Sequence, residues 1–191
     1  MRSSIRRKSM VVLYTKKDDI VHYLLFQDRK SQDWSFISGG CKPNETFLEC
    51  AFRELEEESR HLFHAGCVIP TYFFTFRTTF RPYYTQDYIY EEEIRHTTPQ
   101  ITRKYRRRPL RTLYNVFFME LDESIDISTV CTVFENTEPQ CACENENSHC
   151  QFFTANIIPQ LQLWNFLTRP QSQIDRPHCS ILDTVLSFSL C

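Results

Sequence analysis

An α/β fold is predicted by three features of the sequence: short apolar runs of strand length, one amphipathic segment at helical spacing, and an adjacent glycine pair placed between them. Met10 to Tyr14 and Ile20 to Gln27 are rich in Val, Ile, Leu and Tyr, and the polar Lys16-Lys17-Asp18-Asp19 between them signals a hairpin. A third run, Trp34 to Ile37, leads into Gly39 and Gly40, where a glycine turn lets backbone approach a ligand closely. From Phe47 to Ser59 the apolar residues Leu48, Ala51, Phe52 and Leu55 recur at helical offsets. Asn44 or Thr46 is placed to cap this helix, and Pro43 ends the turn before it. Tyr72 to Phe80 and Leu113 to Leu121 read as further strands. Ile157, Ile158, Leu161, Trp164 and Leu167 give the segment Ile157 to Leu167 a helical pattern.

With 191 residues, 41% of them hydrophobic, one domain over residues 1–191 is expected, its tail from Pro170 to Cys191 packing on the core or meeting a partner. A net charge of −2 gives no global bias toward nucleic acid, so charge has to be read locally. No apolar stretch approaches the ~20 residues of a membrane span. Arg2, Arg6, Arg7 and Lys8 stand where a secretory signal would need an apolar core, so an intracellular, cytoplasmic protein with no membrane partner is expected. Nine cysteines, an odd number, read mostly as reduced thiols, several buried as small hydrophobes. Cys141, Cys143, His149 and Cys150 form the one cluster with zinc-ligand character, but its first pair is spaced too tightly and its second is adjacent, so a loop with free thiols is the simpler expectation.

The chemistry concentrates in residues 39–58, GGCKPNETFLECAFRELEEE. On a helix, Glu57 and Glu58 follow Glu54 by three and four residues, so all three carboxylates are predicted on one face, roughly opposite the apolar stripe. Three like charges repel, and a divalent cation is the natural compensation; hard oxygen ligands suit Mg²⁺ or Mn²⁺. Arg53, four residues before Glu57, is placed to hold its carboxylate, and Glu45 falls near the positive end of the helix dipole. A solvated acidic face is the ordinary reading of a glutamate run. Here Gly39, Glu45, Arg53 and Leu55 stand at fixed distances from the three glutamates, and that joint pattern argues for a site.

The pattern Gly39-x5-Glu45-x7-Arg53-Glu54-Leu55-x-Glu57-Glu58 resembles the Nudix box. The resemblance implies a mixed sheet sandwiched between helices and metal-dependent hydrolysis of a diphosphate linkage by water. It implies Glu57 and Glu58 as metal ligands, Glu54 as a third ligand or as the base that orients water, a main-chain carbonyl of Ser38 or Gly39 in the shell, and supporting roles for Gly39, Glu45 and Arg53. The box usually continues with a glycine where this chain has Arg60; either Arg60 takes a left-handed turn or the helix runs on to Phe63 and stops before Gly66. The box exit and the C-terminal part together resemble Nudix proteins of large DNA viruses.

Family members often add an acidic residue from a loop outside the box. Glu135, Glu138, Glu144 and Glu146 are candidates, with Glu144 and Glu146 in the region where such a residue commonly falls, and Glu91, Glu92 and Glu93 are rivals. Between Ile101 and Tyr114 lie Arg103, Lys104, Arg106, Arg107, Arg108 and Arg111 with Tyr105 and Tyr114. This segment reads equally as a solvated basic loop and as a phosphate clamp, and nuclear targeting is a third reading. The expected substrate is a nucleoside diphosphate linked to another group, including nucleotide sugars, dinucleotides and the mRNA 5′ cap, with RNA as a partner. The alternatives are a diphosphoinositol polyphosphate, or a non-catalytic Nudix-fold module that binds nucleotide or RNA; retention of Glu54, Glu57 and Glu58 favours an enzyme.

Overall fold

The computed structural model describes residues 5–80, 110–122, 125–142, 144–169, 172–173 and 179–188. In chain order the elements are β1 (Ile5–Lys17), β2 (Ile20–Asp28), β3 (Trp34–Ser35), β4 (Ile37–Gly40), α1 (Phe47–Glu58), β5 (Val68–Phe80), β6 (Leu110–Leu121), α2 (Ile127–Asn136), β7 (Asn147–Thr154), a 3₁₀ turn (Ile158–Gln160), α3 (Asn165–Thr168), β8 (Ser172–Gln173) and α4 (Ile181–Phe188). The predicted strands are all present, most of them longer than expected. The hairpin turn is tighter than predicted: Lys16 and Lys17 stay in β1, and Asp18 and Asp19, with φ of 52° and 62°, make the two-residue connection.

β1 is the centre of a mixed sheet. It pairs antiparallel with β2 and β4 along one edge and parallel with β6 along the other, and β6 continues to β5 and β8. β7 lines the outer edge of β2. Alternation along β1 builds two cores at once. Met10, Val12 and Tyr14 join Leu25, Val116 and Phe118 on one face, covered by Leu167, Ile181 and Val185. Val11 and Leu13 join Leu24, Phe26 and Met119 on the other, covered by Ala51 and Leu55 of α1 and by Val130 and Phe134 of α2. The sheet is therefore sandwiched between helices, as the α/β prediction required.

One expectation changes. The segment Ile157 to Leu167 is not one helix: a 3₁₀ turn, an extended stretch and four residues of α3 replace it. The apolar spacing does select buried residues, since Ile158 and Leu167 are fully covered. The backbone between them pairs with β3 instead, Trp34 N–H donating to Gln162 O at 2.8 Å and Trp164 N–H to Trp34 O at 3.0 Å. The tail, for its part, forms α4. Ser180 caps it, accepting from Asp183 N–H at 2.9 Å while Asp183 accepts from Ser180 N–H at 3.1 Å, and Ile181 and Val185 are fully buried. Among the described residues no helix is long and apolar enough to cross a membrane.

Candidate active site

The site is built where β4 hands over to α1. Lys42 to Glu45 make a turn closed by Glu45 N–H to Lys42 O at 3.2 Å, with Pro43 at its second position and Asn44 at φ 67° at its third. Thr46 rather than Asn44 is the helix cap. Its hydroxyl accepts from Glu49 N–H at 3.1 Å and Glu49 Oε2 accepts from Thr46 N–H at 2.7 Å, a reciprocal pair that fixes the first turn.

The three carboxylates do not stand opposite the apolar stripe. Glu54 and Glu58 are buried beside Ala51 and Leu55, each 9% exposed, while Glu57 is more open and Leu48 is on the surface. The reason is angular: at about 100° per residue, Glu58 falls about 20° and Glu54 about 60° from Ala51, on the sheet side of the helix. Gly39 makes room for them. It lies in β4 without positive φ, and a Cβ built on it would overlap the Glu54 carboxylate. Gly40 carries no such constraint, since a Cβ there meets nothing. Its carbonyl is used instead.

Arg53 organises the acids. Its Nε and Nη2 donate to Glu45 Oε1 and Oε2 at 2.8 and 3.1 Å, Nη1 to Glu54 Oε1 at 2.8 Å and Glu57 Oε2 at 3.0 Å, and Nη2 to Gly40 O at 2.9 Å. This predicted role for Arg53 is thus wider than Glu57 alone. Hydrogen bonds from Arg53, with help from Lys42 N–H, hold the Glu45 carboxyl down to about 2. Burial pushes Glu58 well above the usual carboxylate range, and the charges of Glu54 and Glu146 add to it; burial raises Glu54 too. Among the described residues Glu58 has no ion-pair partner, only Asn147 Nδ2 at 3.4 Å. An all-oxygen donor set with buried, mutually repelling carboxylates fits a hard divalent cation.

A cavity of about 290 Å³ opens beside Glu58, bounded by Lys8, Ser38, Glu146, Asn147, Asp28 and Asp33, with Phe26, Phe36 and Trp164 as aromatic wall. Lys8, which stands beside Arg6 and Arg7 in the sequence, is the cation among these lining residues. Of the loop acids among the described residues, Glu146 alone lines this cavity. Glu144 is buried elsewhere, accepting from Gln140 N–H at 2.7 Å and meeting His61 Nε2 at 3.3 Å, and Glu135 faces His149 Nδ1 at 2.8 Å.

The box exit takes the left-handed form, with Arg60 at φ 56° and His61 at φ 60°. The Arg60 side chain then runs into the protein, 6% exposed, and spends its fork on backbone carbonyls: Nη1 to Phe134 O at 2.8 Å and Thr137 O at 2.9 Å, Nη2 to Asn147 O at 2.8 Å, and a longer Nε contact to Glu144 O. The guanidinium also lies 4.2 Å over the Phe134 ring. It sits at the C-terminal end of α2, where the helix dipole favours a cation. Arg29 holds the same loop from the other side, its N–H donating to Glu146 O at 2.8 Å.

The loop of free thiols expected at the cysteine cluster is corrected at Cys141, which is in a disulfide; that bond, the pairing of His149 with Glu135 and the burial of Cys150 also speak against zinc there. Reduced thiols hold for Cys41, Cys50, Cys67, Cys131, Cys150 and Cys179. Glu91 to Glu93, Arg103, Lys104, Arg106, Arg107 and Arg108 lie outside the described residues, as does the side chain of Arg111.

A family model described as NUDIX domain matches residues 5–170. No curated protein sequence matches the chain. Among solved structures, the C. elegans Ap4A hydrolase in a binary complex is similar with a TM-score of 0.52 at 11% identity, covering 84% of this chain and 88% of that one. A mutT/nudix family protein from Listeria innocua aligns over 99% of this chain and 95% of its own at 16% identity, with a TM-score of 0.48. At these identities the first likeness speaks for the fold.

Proposed function

The chain belongs to the NUDIX domain family and is a pyrophosphohydrolase, and from that premise we propose that it cleaves, with Mg²⁺ or Mn²⁺, the diphosphate linkage of a nucleoside diphosphate joined to another group, the mRNA 5′ cap among them. One observation carries this reading: the buried Glu58 lines a cavity together with Glu146 and Lys8, while Glu54 and Glu57 stand on the same helix, held by one guanidinium. Glu54, Glu57 and Glu58 would hold the divalent metal, which when bound would neutralise charge on the bridging and leaving oxygens. Arg53 fixes Glu54 and Glu57 through one guanidinium, so these two acids keep a set geometry on the helix that also carries Glu58. Glu146, outside the box and exposed to solvent, is the acid that takes the proton from the attacking water. Lys8 faces the phosphate charge, and Trp164, partly exposed, offers aromatic surface to a base.

The cavity itself speaks against a diphosphoinositol polyphosphate, because Lys8 shares its described wall with Asp28, Asp33 and Glu146. A dense polyanion there meets more repulsion than attraction. The packing of α4 into the core supports a single functional unit over the chain. The test is product release from dinucleotides including Ap4A, nucleotide sugars, capped RNA and diphosphoinositol phosphates with Mg²⁺ or Mn²⁺. If wild-type protein releases no more product than Glu57→Gln on any substrate, the catalytic role given to these glutamates is wrong, and if neither releases product the protein is a binding module.

A further inference from the structure

We propose that Cys41, Glu45 and Cys50 form a second metal site, for a thiophilic divalent cation of the zinc class, whose occupancy draws Glu45 away from Arg53. The three residues come from the end of β4, the turn after it and the first helical turn of α1. Their ligand atoms, two Sγ and one carboxylate oxygen, all lie within 4.8 Å of one another. A tetrahedral site with ordinary zinc bond lengths sets such atoms about 3.4–3.8 Å apart, so a contraction of roughly 1 Å completes it. Cys50 is wholly buried and Cys41 partly exposed, which gives one fixed ligand and one open to an arriving ion. The fourth position falls to water or to Ser9, whose hydroxyl oxygen is 3.8 Å from Cys41 Sγ.

The cluster already accommodates positive charge. Arg53 Nη2 is 3.1 Å from Glu45 Oε2 and 3.8 Å from Cys50 Sγ, so a divalent ion and the guanidinium compete for the same carboxylate and the same sulfur. Ligand softness then sorts the ions. Two thiols and one carboxylate select a borderline-soft cation, whereas Glu54, Glu57 and Glu58 offer oxygen only. The two sites communicate through Arg53, which loses its anchor on Glu45 when the thiol site fills. Glu54 and Glu57, held by the same guanidinium at 2.8 and 3.0 Å, are then released to repel one another. Binding is independent of the hydrolase reading; the inhibition it causes rests on that reading.

The probe is Co²⁺, titrated into the full chain in a large excess of Mg²⁺. Wild-type protein and a Cys67→Ser control are expected to develop thiolate-to-cobalt charge-transfer absorption that saturates at one equivalent. Cys41→Ser should lose the band and bind Co²⁺ more than ~10-fold more weakly, since losing a direct ligand costs at least what losing a ligand's supporting partner does. Cys50→Ser, checked for folding by circular dichroism, should do the same. No band in wild type, or an undiminished band in Cys41→Ser, overturns the site. In the activity arm, Zn²⁺ should inhibit wild type and spare Cys41→Ser; equal inhibition of both overturns the coupling through Arg53. Absence of any hydrolysis would instead count against the proposed activity and leave the cobalt result standing.

Discussion

Replacing Arg60 by glycine restores the residue the box ordinarily carries, yet here it should destabilise the protein. Glycine removes the left-handed strain at φ 56°, worth about 1 kcal/mol. It also removes three short charge-assisted bonds of 2.8, 2.9 and 2.8 Å to Phe134 O, Thr137 O and Asn147 O. At roughly 1–1.5 kcal/mol net apiece these contribute about 3–4.5 kcal/mol, and the stacking on Phe134 adds to them. The balance is a loss of about 2–4 kcal/mol. For a chain of this size that lowers Tm by roughly 5–15 °C. Thermal unfolding followed by circular dichroism measures it, with Arg60→Ala as companion. Alanine loses the same bonds while keeping the strain, so it should fall about 1 kcal/mol below glycine. A glycine variant as stable as wild type would show that the carbonyls find other partners and that the clamp is unimportant. Hydrogen exchange should quicken in residues 144–147, the loop that Arg60 and Arg29 hold.

Gly39→Ala should lower kcat/KM by about 10²-fold, because the new methyl displaces the Glu54 carboxylate, whereas Gly40→Ala should stay near wild type; equal effects in steady-state kinetics would remove the space argument. Glu45, whose folded pKa is depressed to about 2 from 4.5, contributes stability that is complete above pH 4.5 and lost as pH falls toward 2. Urea unfolding across that window should therefore show a steeper acid loss in wild type than in Glu45→Gln, and matching slopes would contradict the assigned cause. Neutralising Arg106, Arg107 and Arg108 together should weaken RNA binding and flatten its salt dependence. An unchanged slope in a fluorescence titration would remove the phosphate clamp.

Much of the site was legible because its logic is local. The distances from Gly39 to Glu58 lie within one turn and one helix, so spacing alone brought Glu45, Arg53, Glu54 and Glu57 within reach of each other. Thr46 and Glu49 also spell a capping box that could have decided between the two candidate caps. Helix periodicity gave which residues neighbour one another but not which neighbours turn inward. The burial of Glu54 and Glu58 depends on β4 lying against α1 and on the missing side chain of Gly39, a tertiary fact. Lys8 and Glu146 are joined to the site only by the fold, since β1 and the loop before β7 meet at the same cavity. The segment from Ile157 to Leu167 misled for a related reason: three-residue spacing marks burial equally well when the middle of the backbone pairs with β3 and no continuous helix forms. In α4, Ser180 and Asp183 were an unread cap signal of the same kind as Thr46 and Glu49.

The parallel pairing of β1 with β6 has a consequence for how the molecule assembles. Ile5 lies opposite Arg111 and Tyr14 opposite Glu120, so the middle of the sheet cannot close until the chain has been made through β6. The β1–β2 hairpin, joined by two residues, forms early and locally. Until β6 arrives, the other edge of β1 is an unpaired strand between two apolar faces, the kind of edge that recruits strands from other chains. Slow, concentration-sensitive refolding, limited by that one long-range closure, is the kinetic signature this topology carries.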